Sequence, residues 1–229
     1  MRLILVRHGE THYNAQKRLT GQSDVALSPR GRRQIVALGK ALAAEPLDVI
    51  GASDLMRTRV TAEAIARAHG LPVSTDPNLR ELALGEWEGQ TFAEVLVRDG
   101  ERMAQWQADP TTCAPPGGET VAQLRDRIAC ALSSWQTRYP GASVLWATHG
   151  GLIGVLLCHV LGIELHRRGQ FRHDNASISE IQLNGERATI VRLNETAHLR
   201  AMAMETGAVA EGSQSVCKEA SFRDDLGPA

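Results

Sequence analysis

The chain has 229 residues, with 25 Lys and Arg against 26 Asp and Glu for a net charge of -1. That length suffices for one substantial domain with a real core, and the charge balance offers no global basic field to draw in nucleic acid or an anionic membrane. Only the four apolar residues 3–6 separate Arg2 from Arg7, too few for the apolar region of a signal peptide, and no run is long enough to span a bilayer, so a soluble, cytoplasmic protein is expected.

Residues 3–6 read as a buried first strand that ends abruptly in Arg7-His8-Gly9-Glu10. A cation, an imidazole and a flexible backbone gathered at one strand tip need partners, because polar groups taken out of water are costly. Such a cluster points to a cleft whose missing partner is a substrate. Ser28-Pro29 then looks like an N-cap with proline at the first helical position, followed by Ile35, Leu38 and Leu42 on one face and a stop before Pro46. Residues 47–53 read as a second strand, 55–70 as a helix closed by Gly70, and the surroundings of Val73 as a short strand. No element is assigned to 90–115. Val121, Leu124, Ile128 and Leu132 recur at helical spacing, with Pro140-Gly141 as the stop. Residues 143–151, "SVLWATHGG", repeat the opening pattern, since an apolar run again delivers a histidine followed by glycine. A helix over "GLIGVLLCHVLG" and two late strands, 177–183 and 188–193, complete the domain, and 205–229 lack periodicity and read as a loosely held tail.

This alternation is that of an α/β domain: three layers, α/β/α, with a mostly parallel central sheet and helices on both faces. Ligands of such sheets gather beyond the carboxyl ends of the strands, where both His8 and His149 fall. The neighbouring residues suit a phosphorylated ligand. Arg7 can form bidentate, charge-assisted bonds to phosphate, Gly9 lets backbone approach closely, and Arg57 at the start of a helix is a second clamp. Asn14, Thr20, Gly21 and Gly150 can supply further donors. His8 can attack phosphorus, Glu81 can hold the leaving group's proton, and His149 can donate to phosphoryl oxygens. Each has a plain rival reading. Glu81 can pair with Arg80, Glu86 and Glu88 are alternative carboxylates, and His149 can be a core histidine. His69, His159 and His166 read as solvated or locally bonded, His12 stands between a substrate contact and the loop surface, and His173 and Asn175 stand between cleft and scaffold. The cysteines Cys113, Cys130, Cys158 and Cys217 have neither disulfide-framework nor metal-ligand spacing and read as reduced.

Taken together, "LVRHGETHYN", "GQSDVALSPRGRRQ", "SDLMRTRVTAEAIA", "NLRELALGEWEG", "PPGGETVAQLRDRI" and "VLWATHGGLI" resemble the histidine phosphatase superfamily, in its phosphoglycerate-mutase-like branch, over about residues 1–199. The resemblance implies a phosphomonoesterase domain over 1–204, with His8 as phosphoryl acceptor, Arg7, Arg57 and His149 around the phosphate, Glu81 as the acid, Asn14 in the phosphate pocket and no metal or other cofactor. Mutases of the family carry a long insertion after the acid-bearing block. Here 90–115 run directly into "PPGGET", so hydrolysis of a small phosphomonoester is expected rather than mutase chemistry. Similarity to α-ribazole phosphatases and to broad-specificity phosphatases leaves the substrate open, and a homodimer is compatible with the pattern. A phosphate-binding relative without catalysis should lack His8, Glu81 or an arginine, and this chain keeps them all.

Overall fold

The structure, a computed structural model, describes residues 1–185 and 187–200. The predicted tail at 205–229, the last residues of the predicted 1–204 domain and Cys217 lie outside the described residues.

The strands are β1 (Arg2–Arg7), β2 (Val49–Ala52), β3 (Val73–Thr75), β4 (Ser143–Thr148), β5 (Ile178–Asn184) and β6 (Arg187–Glu195), and the helices α1 (His12–Ala15), α2 (Pro29–Leu42), α3 (Met56–His69), α4 (Phe92–Ala108), α5 (Val121–Arg138) and α6 (Gly150–Leu161). They build one six-stranded sheet in the order β3-β2-β4-β1-β5-β6. β1 to β4 are mutually parallel, whereas β5 runs antiparallel to β1 and β6 antiparallel to β5. Gly185, directly after β5, has φ +59, the left-handed conformation that a tight reversal into β6 calls for and glycine adopts freely.

Alternation along β1 creates the three layers. Leu3 and Leu5 face a core with Val121, Leu124 and Ile128 of α5 and Leu152 and Leu156 of α6. Ile4 and Val6 face the opposite core, with Leu38 and Leu42 of α2 and Ala62 and Ile65 of α3. A strand buried on both faces must be apolar throughout, which is why residues 3–6 carry no polar position.

The caps expected for α2 and α3 are present. Ser28 Oγ accepts from Gly31 N at 3.0 Å, and Gly70 closes α3 at φ +63. Two boundaries move inward: the second strand is only Val49–Ala52, and the strand expected to reach Gly151 stops at Thr148, with His149 as N-cap of α6. The stretch 90–115, left without structure in the sequence reading, contains α4. Its signal was present as a capping box: Thr91 Oγ1 accepts from Glu94 N at 3.2 Å while Glu94 Oε2 accepts from Thr91 N at 2.7 Å. The apolar face of α4 is short because the helix packs through Val95 and Met103 onto Trp87, in a third cluster away from the sheet.

Candidate active site

Register brings the two histidines together. Arg7 of β1 pairs with Thr148 of β4 in the parallel ladder, so the next residues, His8 and His149, leave the sheet side by side. Their ring centroids are 5.2 Å apart with the planes at 62°. His8 Nδ1 lies 2.7 Å from the Gly9 carbonyl. A carbonyl oxygen only accepts, so Nδ1 carries the hydrogen and Nε2 keeps its lone pair toward the cleft. At His149 the order is reversed: Nδ1 accepts from Arg57 Nε at 3.3 Å, which leaves the hydrogen on Nε2, and that atom is buried with no partner among the described residues. One ring thus offers a nucleophilic lone pair and the other a hydrogen-bond donor.

Two buried cations keep both rings neutral. Arg57 is fully buried, its guanidinium donating to Gly21 O and Ser23 O at 2.7 Å each. Arg7 donates from Nη1 to the His173 carbonyl, and its Nε is buried without a partner among the described residues. Burial first, and then the charges of Arg57 and Arg7, hold His8 well below the ordinary imidazole range. Burial and Arg57 do the same to His149. Burial also lowers Arg57 to about 10 and Arg7 in the same direction. At about 10, Arg57 remains cationic at neutral pH. Among the described residues neither arginine has a carboxylate ion partner within salt-bridge distance, so a phosphate would relieve a cost already built into the fold.

Glu81 hangs from the loop after β3. Its carboxylate accepts from Leu82 N at 2.9 Å, Gly151 N at 3.0 Å and Leu152 N at 3.0 Å, docking it on the first turn of α6 beside the unpaired helical N–H groups. A Cβ at Gly151 would stand 2.5 Å from Glu81 Oε1. Arg127 ties down the loop, donating to Arg80 O at 2.9 Å and Glu81 O at 3.2 Å while pairing with Glu119 at 2.6 Å. The rival readings of this segment are resolved. Arg80 pairs with Asp54 at 2.5 Å instead of with Glu81, Glu88 accepts from Gln22 N, Leu84 N and Ser23 Oγ as a loop staple, and Glu86 is exposed.

His8, Arg57, Glu81 and Asn14 share a cleft of about 320 Å³ with Thr20 and Gly21, and Arg7 and Glu81 continue into an adjoining lobe past Gly150. Every residue proposed for the site from sequence therefore lies on this one cleft or its lobe, apart from His149, which lies behind it against His8. Asn14 Oδ1 accepts from Thr11 N at 3.1 Å and Asn175 Nδ2 at 3.2 Å, leaving the amide of Asn14 as the donor. Asn175 also donates to His8 O at 3.2 Å and so acts as scaffold. One expectation is corrected. The missing Cβ of Gly9 makes room for helix α2, because a Cβ there would lie 2.7 Å from the Gly31 carbonyl. Gly21 likewise presents its carbonyl to Arg57. Sequence reading missed Arg18, Leu82, Leu84, Trp106 and Arg168, which also line the cleft. Trp106 belongs to the unassigned α4, and Arg168 to a short turn, Leu165–Gln170, with no periodicity to mark it.

The other histidines divide as expected. His69 bonds to Leu42 O at 3.0 Å, His12, His159 and His166 are exposed, and His173 lines the second lobe. Burial, with Arg7 nearby, lowers His173 to about 4, and burial lowers His198 as well. Four imidazoles are thus harder to protonate in the fold than in the unfolded chain. The unfolded state binds more protons below about pH 6.5, so stability is full above that pH and declines as pH falls toward 4. Thermal melts at pH 7.5 and 5 should show a lower midpoint at pH 5. His8→Ala should shrink the difference, and equal midpoints would contradict the depressed values.

The model of the "Histidine phosphatase superfamily (branch 1)" matches residues 3–196. The chain belongs to this family. Phosphoserine phosphatase 1 of Hydrogenobacter thermophilus is 35% identical over 199 residues, 87% of this chain and 94% of the relative. A glucosyl-3-phosphoglycerate phosphatase of Mycolicibacterium vanbaalenii is 41% identical over 170 residues, 71% and 75% of the two chains. Among solved structures, the α-ribazole phosphatase of Shigella flexneri superposes with a TM-score of 0.79 at 28% identity, covering 85% of this chain and 96% of that one. Proteins named as probable phosphoglycerate mutases match as well, at 35% identity. This histidine phosphatase is a phosphomonoester hydrolase with the phosphoglycerate-mutase-like fold.

Proposed function

We propose that His8 is the nucleophile and Glu81 the proton donor of a two-step hydrolysis. In the first step the His8 Nε2 lone pair attacks phosphorus, the bond from phosphorus to the ester oxygen breaks, and the departing alcohol takes a proton from Glu81. In the second, Glu81 as carboxylate removes a proton from water, the water oxygen bonds to phosphorus, and the P–N bond returns its electron pair to His8. Arg7, Arg57 and the Asn14 amide take the peripheral phosphoryl oxygens, and His149 Nε2–H, behind the cleft against His8, donates to the oxygen nearest it, so that the growing charge meets preorganised donors. The observation that carries this reading is the opposite hydrogen bonding of the two rings, which supports a lone pair at His8 and a donor at His149.

Hydrolysis fits better than mutase chemistry because 90–115 hold only α4 and its connection, without a long insertion to enclose a second phosphorylated ligand. The test is a ranking of kcat/KM for α-ribazole 5′-phosphate, 3-phosphoglycerate, O-phosphoserine, a sugar phosphate and an aryl phosphate. Release of inorganic phosphate is the expected result, and fast interconversion of 2- and 3-phosphoglycerate without it would show a mutase.

The proposal includes metal-independent turnover by a cytoplasmic enzyme acting on a small phosphomonoester, with no nucleic acid or membrane partner. Among the described residues no cluster of His, Cys, Asp or Glu is arranged to hold a metal, and no helix is long and apolar enough to cross a membrane. Arginine charge takes the place of a cation here. Dialysis against EDTA should leave kcat within about twofold, and loss of activity restored by magnesium would refute this part. A homodimer also belongs to this reading, with light scattering on the purified chain as its check.

A further inference from the structure

Arg7 and Arg57 face the phosphate position, but the cleft holds two more arginines, and they differ. Arg18 is neutralised by Glu94 at 2.9 Å and donates to Gly89 O at 2.8 Å. Arg168 makes no ion pair and no side-chain hydrogen bond among the described residues, although it lines both lobes and burial lowers its pKa. Its guanidinium carbon lies 6.0 Å from the centroid of the Trp106 ring, within range of a cation–π contact that fixes the plane of the fork. The indole Nε1 of Trp106 is buried with no acceptor among the described residues, so the ring meets the cleft through carbon and not through its N–H. The turn that bears Arg168 is held against α6 at Gly154, where a Cβ would meet the Arg168 carbonyl at 3.0 Å. One unanswered cation and the ring beside it therefore share a wall of the cleft with Leu82 and Leu84.

We infer that Arg168 and Trp106 form a second anion subsite, which binds a carboxylate on the leaving group and makes this enzyme selective for phosphorylated hydroxy acids or hydroxy amino acids. The inference rests on the hydrolase reading above. The short carbon chain of such a substrate lies against Leu82 and Leu84, its phosphate at His8 and its carboxylate on the guanidinium fork of Arg168, beside the Trp106 ring.

O-Phosphoserine and O-phosphoethanolamine differ only in the carboxylate, so the ratio of their kcat/KM values reads the subsite directly. The wild type should favour phosphoserine by about 10²-fold, the range of a hydrogen-bonded charge pair. Arg168→Ala should bring the ratio close to one, chiefly through KM for phosphoserine. Arg168→Lys should recover part of it, because the charge returns without the fork. Trp106→Leu removes the aromatic face beside the fork and should lower the ratio by about threefold to tenfold, the range of a cation–π contact. A ratio near one in the wild type, or equal loss on both substrates in Arg168→Ala, overturns the subsite. If the wild type cleaves an aryl phosphate yet does not discriminate the pair, the subsite alone is wrong. If it cleaves neither the aryl ester nor the pair, the hydrolase reading fails and the subsite falls with it.

Discussion

His8→Ala is expected to lower kcat by at least about 10⁴-fold, because removing the proposed nucleophile of a covalent mechanism leaves only the binding and electrostatic contributions. The fold should survive the change. The polar contacts that hold this strand tip use the backbone: His8 N donates to Thr148 O at 3.0 Å, and His8 O accepts from Ala176 N at 3.1 Å and Asn175 Nδ2 at 3.2 Å. Loss of activity can therefore be separated from loss of structure by a thermal melt. The wild-type enzyme, quenched with base during turnover of a ³²P-labelled ester, should carry an acid-labile, base-stable label. Undiminished label in His8→Ala would place the phosphoryl group elsewhere.

Glu81→Gln should produce the second large effect, and its signature is selectivity. A proton donor matters most when the departing alkoxide is a poor leaving group, so single-turnover phosphorylation by an alkyl ester should slow by about 10²-fold to 10⁴-fold, and by an activated aryl ester much less. Glutamine keeps the shape of the side chain, but its NH₂ would confront the N–H groups of Gly151 and Leu152 that now donate to the carboxylate. Gly151→Ala offers an independent probe, since its Cβ would press on Glu81 Oε1 while the carboxyl chemistry is retained. It should reproduce part of the alkyl-selective defect. Equal slowing of both ester types by Glu81→Gln would remove Glu81 as donor. Glu88→Gln should instead weaken the loop it staples through Gln22, Ser23 and Leu84 and show no leaving-group selectivity.

How far these roles are legible from the sequence depends on where each residue sits. Arg7, His8 and His149 stand immediately after apolar runs, and Arg57 opens a helix just after a strand. A strand buried on both faces has to be apolar to its end, so the polar residue that breaks it marks the rim of the sheet, where the cleft must be. Local patterning likewise determined the Ser28-Pro29 start of α2, the Gly70 end of α3 and the α/β class, because caps and periodicity act within a few residues. The choice of Glu81 over Glu86 and Glu88 came from resemblance alone at that level; three carboxylates within eight residues share one local pattern. Tertiary structure separates them by what each meets: the N-terminal turn of α6 for Glu81, a neighbouring loop for Glu88, solvent for Glu86. It also decided the tautomers of His8 and His149, which depend on a carbonyl and on a guanidinium brought from Arg57 on another helix. Arg168 and Trp106 were invisible in sequence for the same reason. An arginine in a short turn and a tryptophan near the end of a helix acquire a shared meaning only when chain packing sets them side by side at the cleft and leaves the guanidinium without a partner among the described residues.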